Sequence, residues 1–247
     1  MTMNRITVPI AVLTILFGFG ARVAYAGNDF IVYSPHVVQG QSEVEVFGFG
    51  SQDGRSDLNG ASGYNISVAH AVTSWWKPEV YIGEFNRDPG GTTQPSGYEF
   101  ENTFQLTTLG EYWADVGFLA SYAHNKQPGI SSVAEFGPLL EKMSGHIDQQ
   151  LNLILEKQVG GGASGAYVFR SAYSISYNIH SDKATYSPGI EAYYRPGDNA
   201  YQFGPIFSGE LRTDMGSELG YSLGVVFGIN PGAPDKTLLA RLEYEFF

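Results

Sequence analysis

The chain has 247 residues, 43% apolar, 16% charged and 14% aromatic, with 31 Gly and no Cys. This composition excludes a disulfide scaffold, a cysteine-ligated metal site and a disordered tail protein. The 14 basic residues against 25 acidic ones give a formal net charge of −11, which argues against nucleic acid as a partner because no basic patch is available to neutralise phosphates.

Residues 1–26 read as a secretory signal peptide. Arg5 gives a positive start, the uncharged run 6–20 (ITVPIAVLTILFGFG) follows, and Ala24-Tyr25-Ala26 before Gly27 is an A-x-A cleavage pattern. That run is shorter than the roughly 18–20 apolar residues a membrane-spanning helix needs. Cleavage removes Arg5 and Arg22 and no acid, so the mature chain is more acidic still. No later stretch approaches 18 consecutive apolar residues, so the mature chain is either soluble outside the inner membrane or crosses the outer membrane as a barrel. Residues 27–42 are expected to form a periplasmic N-terminal segment, and 43–247 the barrel.

From residue 43 onward the period is two, as in strands that set a bulky apolar face against a small or polar one. In 217–230, Leu219, Tyr221, Leu223, Val225, Phe227 and Ile229 alternate with Gly220, Ser222, Gly224, Val226 and Gly228. Segments 98–106, 112–122, 166–179 and 201–212 repeat the pattern. Twelve strands are predicted: 43–50, 63–75, 78–87, 98–109, 111–123, 132–142, 146–157, 165–179, 184–195, 200–212, 216–230 and 236–247. Most are longer than the 5–6 residues typical of soluble sheets and suit tilted membrane strands of about 9–11 residues.

Connections after the odd strands up to the seventh are long and rich in turn residues (51–62, 88–97, 124–131, 158–164), whereas Trp76-Lys77, Leu109-Gly110, 143–145 and 181–183 make tight turns on the other side. This asymmetry places the turns and both chain ends in the periplasm. Within 138–157 (PLLEKMSGHIDQQLNLILEK), Ile147, Leu151, Ile154 and Leu155 also fit helical spacing; a helix there would reduce the barrel to ten strands. Pro138, Pro188 and Pro205 each imply a bulge or a strand end. Trp75, Trp76, Trp113, Tyr64, Tyr81, Tyr112, Tyr193 and Tyr194 lie near strand ends and would form two aromatic girdles.

The last strand, 238–247 (LLARLEYEFF), alternates Leu238, Ala240, Leu242, Tyr244 and Phe246 with Arg241, Glu243 and Glu245. It resembles the terminal strand of Gram-negative outer-membrane barrels, whose final aromatic residue is recognised by the barrel-assembly machinery. Tyr244, Phe246 and Phe247 would carry that signal here, although the alternating set ends at Phe246 and Phe247 lies one residue further. Residues 100–107 (FENTFQLT), 110–117 (GEYWADVG) and 138–142 (PLLEK) also resemble poorly characterised proteobacterial barrels grouped with phenol-degradation outer-membrane proteins. That resemblance implies a passive or transport role at the outer membrane.

Among groups that could carry chemistry, Glu99, Glu101, Asp115, Arg170, Glu210, Arg212, Arg241, Glu243 and Glu245 would point into the lumen. A ring of acids in water favours cations, whereas acids paired with arginines across strands fill a narrow barrel. His124, at the base of a long loop with Ser121 three residues earlier, is the enzymatic candidate, since lipid hydrolases of this architecture need a Ser and a His at the outer rim. His180-Ser181-Asp182 and His146 fall in turns on the opposite side. Asp53, Asp57 and Asp88 make no calcium-loop spacing, and the 160–162 Gly run lacks the Lys and context of a phosphate cradle. No cofactor or metal is expected.

The reading is an all-β transmembrane up-and-down barrel of about twelve strands in the outer membrane, its partners lipid, lipopolysaccharide and the assembly machinery. It passes small solutes or forms a closed structural or binding barrel. The alternatives are a lipid- or lipopolysaccharide-modifying hydrolase and a soluble periplasmic β-protein.

Overall fold

The computed structural model describes residues 30–213 and 216–247; the predicted signal peptide lies outside the described residues. Alternation has built the strands it forecast. They are β1 (Ser42–Gln52), β2 (Ser62–His70), β3 (Trp76–Arg87), β4 (Gly97–Gln105), β5 (Asp115–Asn125), β6 (Ser132–Ser144), β7 (Ile147–Val159), β8 (Tyr167–Tyr177), β9 (Ala184–Arg195), β10 (Ala200–Arg212), β11 (Glu218–Gly228) and β12 (Lys236–Phe246). Two further two-residue strands, Gln94–Pro95 and Ile179–His180, flank β3 and β9.

Each strand pairs antiparallel with the next, and β12 closes on β1 from Ser42 opposite Phe246 to Gln52 opposite Lys236. The result is a closed twelve-stranded barrel, with no sheet edge left to aggregate. Residues 138–157 are strand on both sides of Gly145, which turns the chain with φ +63° between β6 and β7. The helical alternative loses because Leu140 and Leu151 pair across that hairpin.

Several boundaries move. Trp76 and Lys77 are the first residues of β3 rather than a turn, and Leu109-Gly110 lies inside a nine-residue connection, 106–114, that carries Trp113 out to 77% exposure. None of Pro138, Pro188 and Pro205 shifts the register, although β8 ends at Tyr177, level with Pro188, and its pairing with β9 resumes only at Ile179. At Pro138 and Pro205 the ladder lapses for two pairs and resumes in the same register, while the register shift between β2 and β3 falls at Ile66/Ser67. Each of these prolines follows a glycine, and a Cβ on Gly137 or Gly204 would collide with the carbonyl of Leu153 or Val225 on the facing strand. The missing Cβ lets that carbonyl, deprived of its N–H partner, close in.

The outer face carries exposed Val44, Val46, Val80, Ile82, Phe100, Ile190, Phe207, Leu223 and Leu242, which makes a belt suited to lipid. Trp75, Tyr64, Tyr112 and Tyr194 join it near strand ends, but Tyr81 and Tyr193 are 1% and 7% exposed and face the lumen instead. Tyr244 and Phe246 stack outward, 5.7 Å apart, and Phe247 follows the end of β12.

Candidate functional site: the lumen and its strap

Residues 30–41, expected to form a periplasmic N-terminal segment, make a strap whose residues 30–37 run through the barrel interior and whose residues 38–40 are exposed before β1 begins. Phe30, Ile31, Val32, Tyr33 and Val37 are buried against inward-facing residues. The strap begins in the loop-side half, where the Phe30 ring meets Phe49 and Tyr193 at 5.2 and 5.3 Å and Tyr193 OH donates to Phe30 O. It descends past Asn152, which accepts from Tyr33 N–H at 2.7 Å and donates to Tyr33 O at 2.9 Å. Pro35 sits over Gly117, where a Cβ would lie 2.7 Å from the proline ring. Ser34 Oγ donates to Glu141 at 2.6 Å, His36 Nε2 lies 3.0 Å from Asp115, and Val37 N–H donates to Gln105. Side chains of the wall therefore satisfy the strap's backbone, as a buried unpaired backbone group would be costly.

The charged groups around the strap are paired more than they are free. Arg170 reaches Glu135 at 2.5 Å and Glu156 at 2.9 Å, and Arg195 joins Glu156 to Asp198 at 2.6 and 2.7 Å. Arg241 holds Glu45 at 2.5 Å and Glu243 at 3.2 Å. Glu99, Glu101 and Asp115 are buried on the inner wall, and one oxygen of Glu101 has no hydrogen-bond partner. Glu210 and Arg212 stand exposed at the terminus-side mouth, with Arg212 3.3 Å from Glu218 and 3.7 Å from Glu210. Beside Phe30, the space between Arg170, Tyr193, Arg195 and Gln202 is about 20 Å³, which is room for about one water. With the strap in place, this part of the lumen is filled.

The fold is that of an outer-membrane β-barrel. The chain is similar to the COG4313 outer membrane channel from Pseudomonas putida F1, at 12% identity over 85% of this chain and 96% of that one, with a TM-score of 0.58. It is also similar to the NanC porin, at 13% identity over 83% and 99% of the two chains and a TM-score of 0.52. The β domain of the Bordetella autotransporter BrkA gives 12% identity over 85% and 100%, with a TM-score of 0.51. No family model and no curated protein sequence matches the chain.

Of the acids the sequence singles out, Glu99, Glu101 and Asp115 are buried on the inner wall and Glu210 is exposed; Glu135, Glu141, Asn152 and Glu156 were not among the candidates, the last three lying in the 138–157 stretch that also fits helical spacing. The six-residue spacing of Glu135 and Glu141, both on one strand face, was the available signal. His124 does meet a serine, though not Ser121, which is buried on the inner wall. Its Nδ1 lies 3.2 Å from Ser132 Oγ on β6, and its ring is 4.9 Å from Tyr98. Among the described residues no carboxylate orients the imidazole, so the pair lacks the third group of a hydrolytic triad. Glu43, Glu243 and Glu245 present oxygens within 4.8 Å of one another. Lys77 already sits 2.7 Å from Glu43, and Gln41 donates to Glu245.

At the loop end, Asp53 accepts from Arg55 and from the backbone N–H of Asp235, while Arg55 donates to the carbonyls of Pro231 and Ala233. Hydrogen bonds from Arg55 hold the Asp53 carboxyl well below the usual carboxylate range. This clasp joins the β1–β2 and β11–β12 loops across the seam.

Proposed function

We propose that this chain passes small cationic or neutral solutes across the outer membrane, and that residues 30–37 of the strap must shift to open the path. The observation that carries this reading is the way the strap is held. Residues 30–37 make side-chain bonds to the wall instead of joining the ladder, so they can leave without breaking a strand pair, while Gly40 and Gln41 stay bonded to the backbone of Ala71. The wall is rich in acids, with Glu43, Glu45, Glu84, Glu99, Glu101, Glu135, Glu141 and Glu156 all buried there. Uncovered and hydrated, that wall attracts cations. The solved channel and porin with the same fold are consistent with passage. The terminus end, where β12 finishes, faces the periplasm in this reading, and the 53–61, 88–96 and 126–131 loops face outward.

The narrower grouping with phenol-degradation barrels is part of the same proposal. Its three stretches lie on or between β4, β5 and β6 and supply Gln105, Asp115, Gly117 and Glu141, all of which touch the strap. The resemblance therefore falls on the strap's dock.

Planar-bilayer conductance of the refolded mature chain, compared with a variant lacking residues 30–37, tests the reading. We expect small or rare openings from the full chain and large cation-favouring ones from the deletion, reduced by Glu99→Gln with Glu101→Gln. A deletion variant that migrates as a folded barrel yet stays electrically silent would leave only a closed structural or binding barrel.

A further inference from the structure

The extracellular rim of the proposed orientation is not uniformly acidic. Asp53, Asp57, Asp88, Asp198 and Asp235 mark four of its six loops, whereas 124–134 and 157–169 contain no acid at all. In a chain of net charge −11, that third of the rim also carries two cations without a carboxylate partner among the described residues. Lys126, exposed, lies with Nζ 6.0 Å from the centroid of Tyr98. Lys157 lies with Nζ 4.8 Å from the centroid of Tyr167.

Register shows that these groups share the outer face. Tyr98 pairs with His124, Ala134 with Lys157, and Lys157 with Tyr167. Tyr98 and Phe100 are exposed together on β4, and Leu155 and Tyr167 are exposed beside Lys157. Lys157 lies level with Ala134 and Tyr122, and Lys126 follows β5 four residues beyond Tyr122, so the two α-carbons stand roughly 16 Å apart at the usual strand rise and spacing. Ser132 and His124 fill the gap between them with polar atoms. Tyrosines at this height mark the level where acyl chains give way to headgroups.

We propose that this patch, made by Lys126, His124, Ser132 and Lys157, binds the phosphate groups of the outer leaflet's phosphorylated glycolipid. Each lysine offers a compact positive charge suited to phosphate. The tyrosine under each one holds the ammonium in place by cation–π attraction. An acid-free stretch matters as much as the lysines, since a neighbouring carboxylate would compete for them. This inference rests on the orientation given above, and its test separates the two.

Labelled lipopolysaccharide is titrated into the folded chain in neutral detergent, with heat-modifiable migration confirming the barrel for every variant. Replacing both lysines, Lys126→Gln with Lys157→Gln, is expected to weaken binding at least tenfold, and dephosphorylated glycolipid is expected to lose as much against the unchanged chain. Lys236→Gln, on the acidic side of the same rim, should bind normally, and so should Lys126→Arg with Lys157→Arg. Equal binding by the double glutamine variant overturns the proposal, as does an equal loss from Lys236→Gln, which would reveal a net-charge effect. Phosphatidylglycerol binding as tightly as lipopolysaccharide would overturn the assignment to the outer leaflet while leaving the conductance reading untouched.

Discussion

Asn152 is fully buried, and both of its amide atoms are spent on the backbone of Tyr33. A side chain that satisfies one donor and one acceptor of a passing segment does the work of a strand neighbour without extending the sheet. Asn152→Ala would strand both backbone groups in the lumen, at a cost of about 1–3 kcal/mol for each buried group left unpaired. We expect exchange of the Tyr33 amide to accelerate on the order of ten- to a hundredfold while strand amides keep their protection. Unchanged exchange at Tyr33 would mean that Asn152 does not hold the strap. Arg170 follows the same logic with charge, since its guanidinium spans acids on two strands, and breaking a buried pair leaves an unneutralised carboxylate.

At the level of the strand, the Gly-Pro steps show how β6 and β10 keep register through a residue that cannot donate. Gly137→Ala should cost about 1–3 kcal/mol, because the new methyl meets the Leu153 carbonyl. Gly50→Ala, where a Cβ would meet nothing within 4 Å, should fall within about 0.5 kcal/mol of the parent. Urea unfolding followed by gel migration distinguishes the two. Equal stability of both variants would remove the steric account. The strands themselves were legible in the sequence, because a two-residue period with one lipid-facing apolar set is a strong local signal. What was not legible depends on what fills the interior. Tyr81 and Tyr193 look like girdle residues by position yet are buried, and for Tyr193 the strap supplies the inward partners, the Phe30 ring and carbonyl. The strap's own sequence, FIVYSPHVVQGQ, gives no period to place it, with Pro35 interrupting the one alternation it has.

The whole barrel is a ring whose seam joins β1 to β12, and the loop clasp of Asp53, Arg55 and Asp235 covers one end of that seam. A carboxyl whose proton affinity is lowered in the folded state contributes stability above its unfolded value near 3.9, and loses that contribution as pH falls toward its folded value. The clasp should accordingly persist at pH 4 and fail only in much stronger acid. Pepsin digestion at pH 4 and pH 2 reads this directly, with cleavage in 53–61 expected only at the lower value and Asp53→Asn cleaved at both. Cleavage of the parent at pH 4 would show that Arg55 does not hold Asp53 ionised.

The seam also imposes an order in time. Its two strands are the first and last of the barrel in chain order, so the ring stays open until β12 is in place, and such distant pairings form slowly. The strap immediately precedes β1 and ends inside the finished ring. It must lie within the curling sheet before β12 docks, or thread a lumen already closed. The first route needs no threading, and it makes the strap a mandrel around which Gly117, Asn152 and Tyr193 take their places.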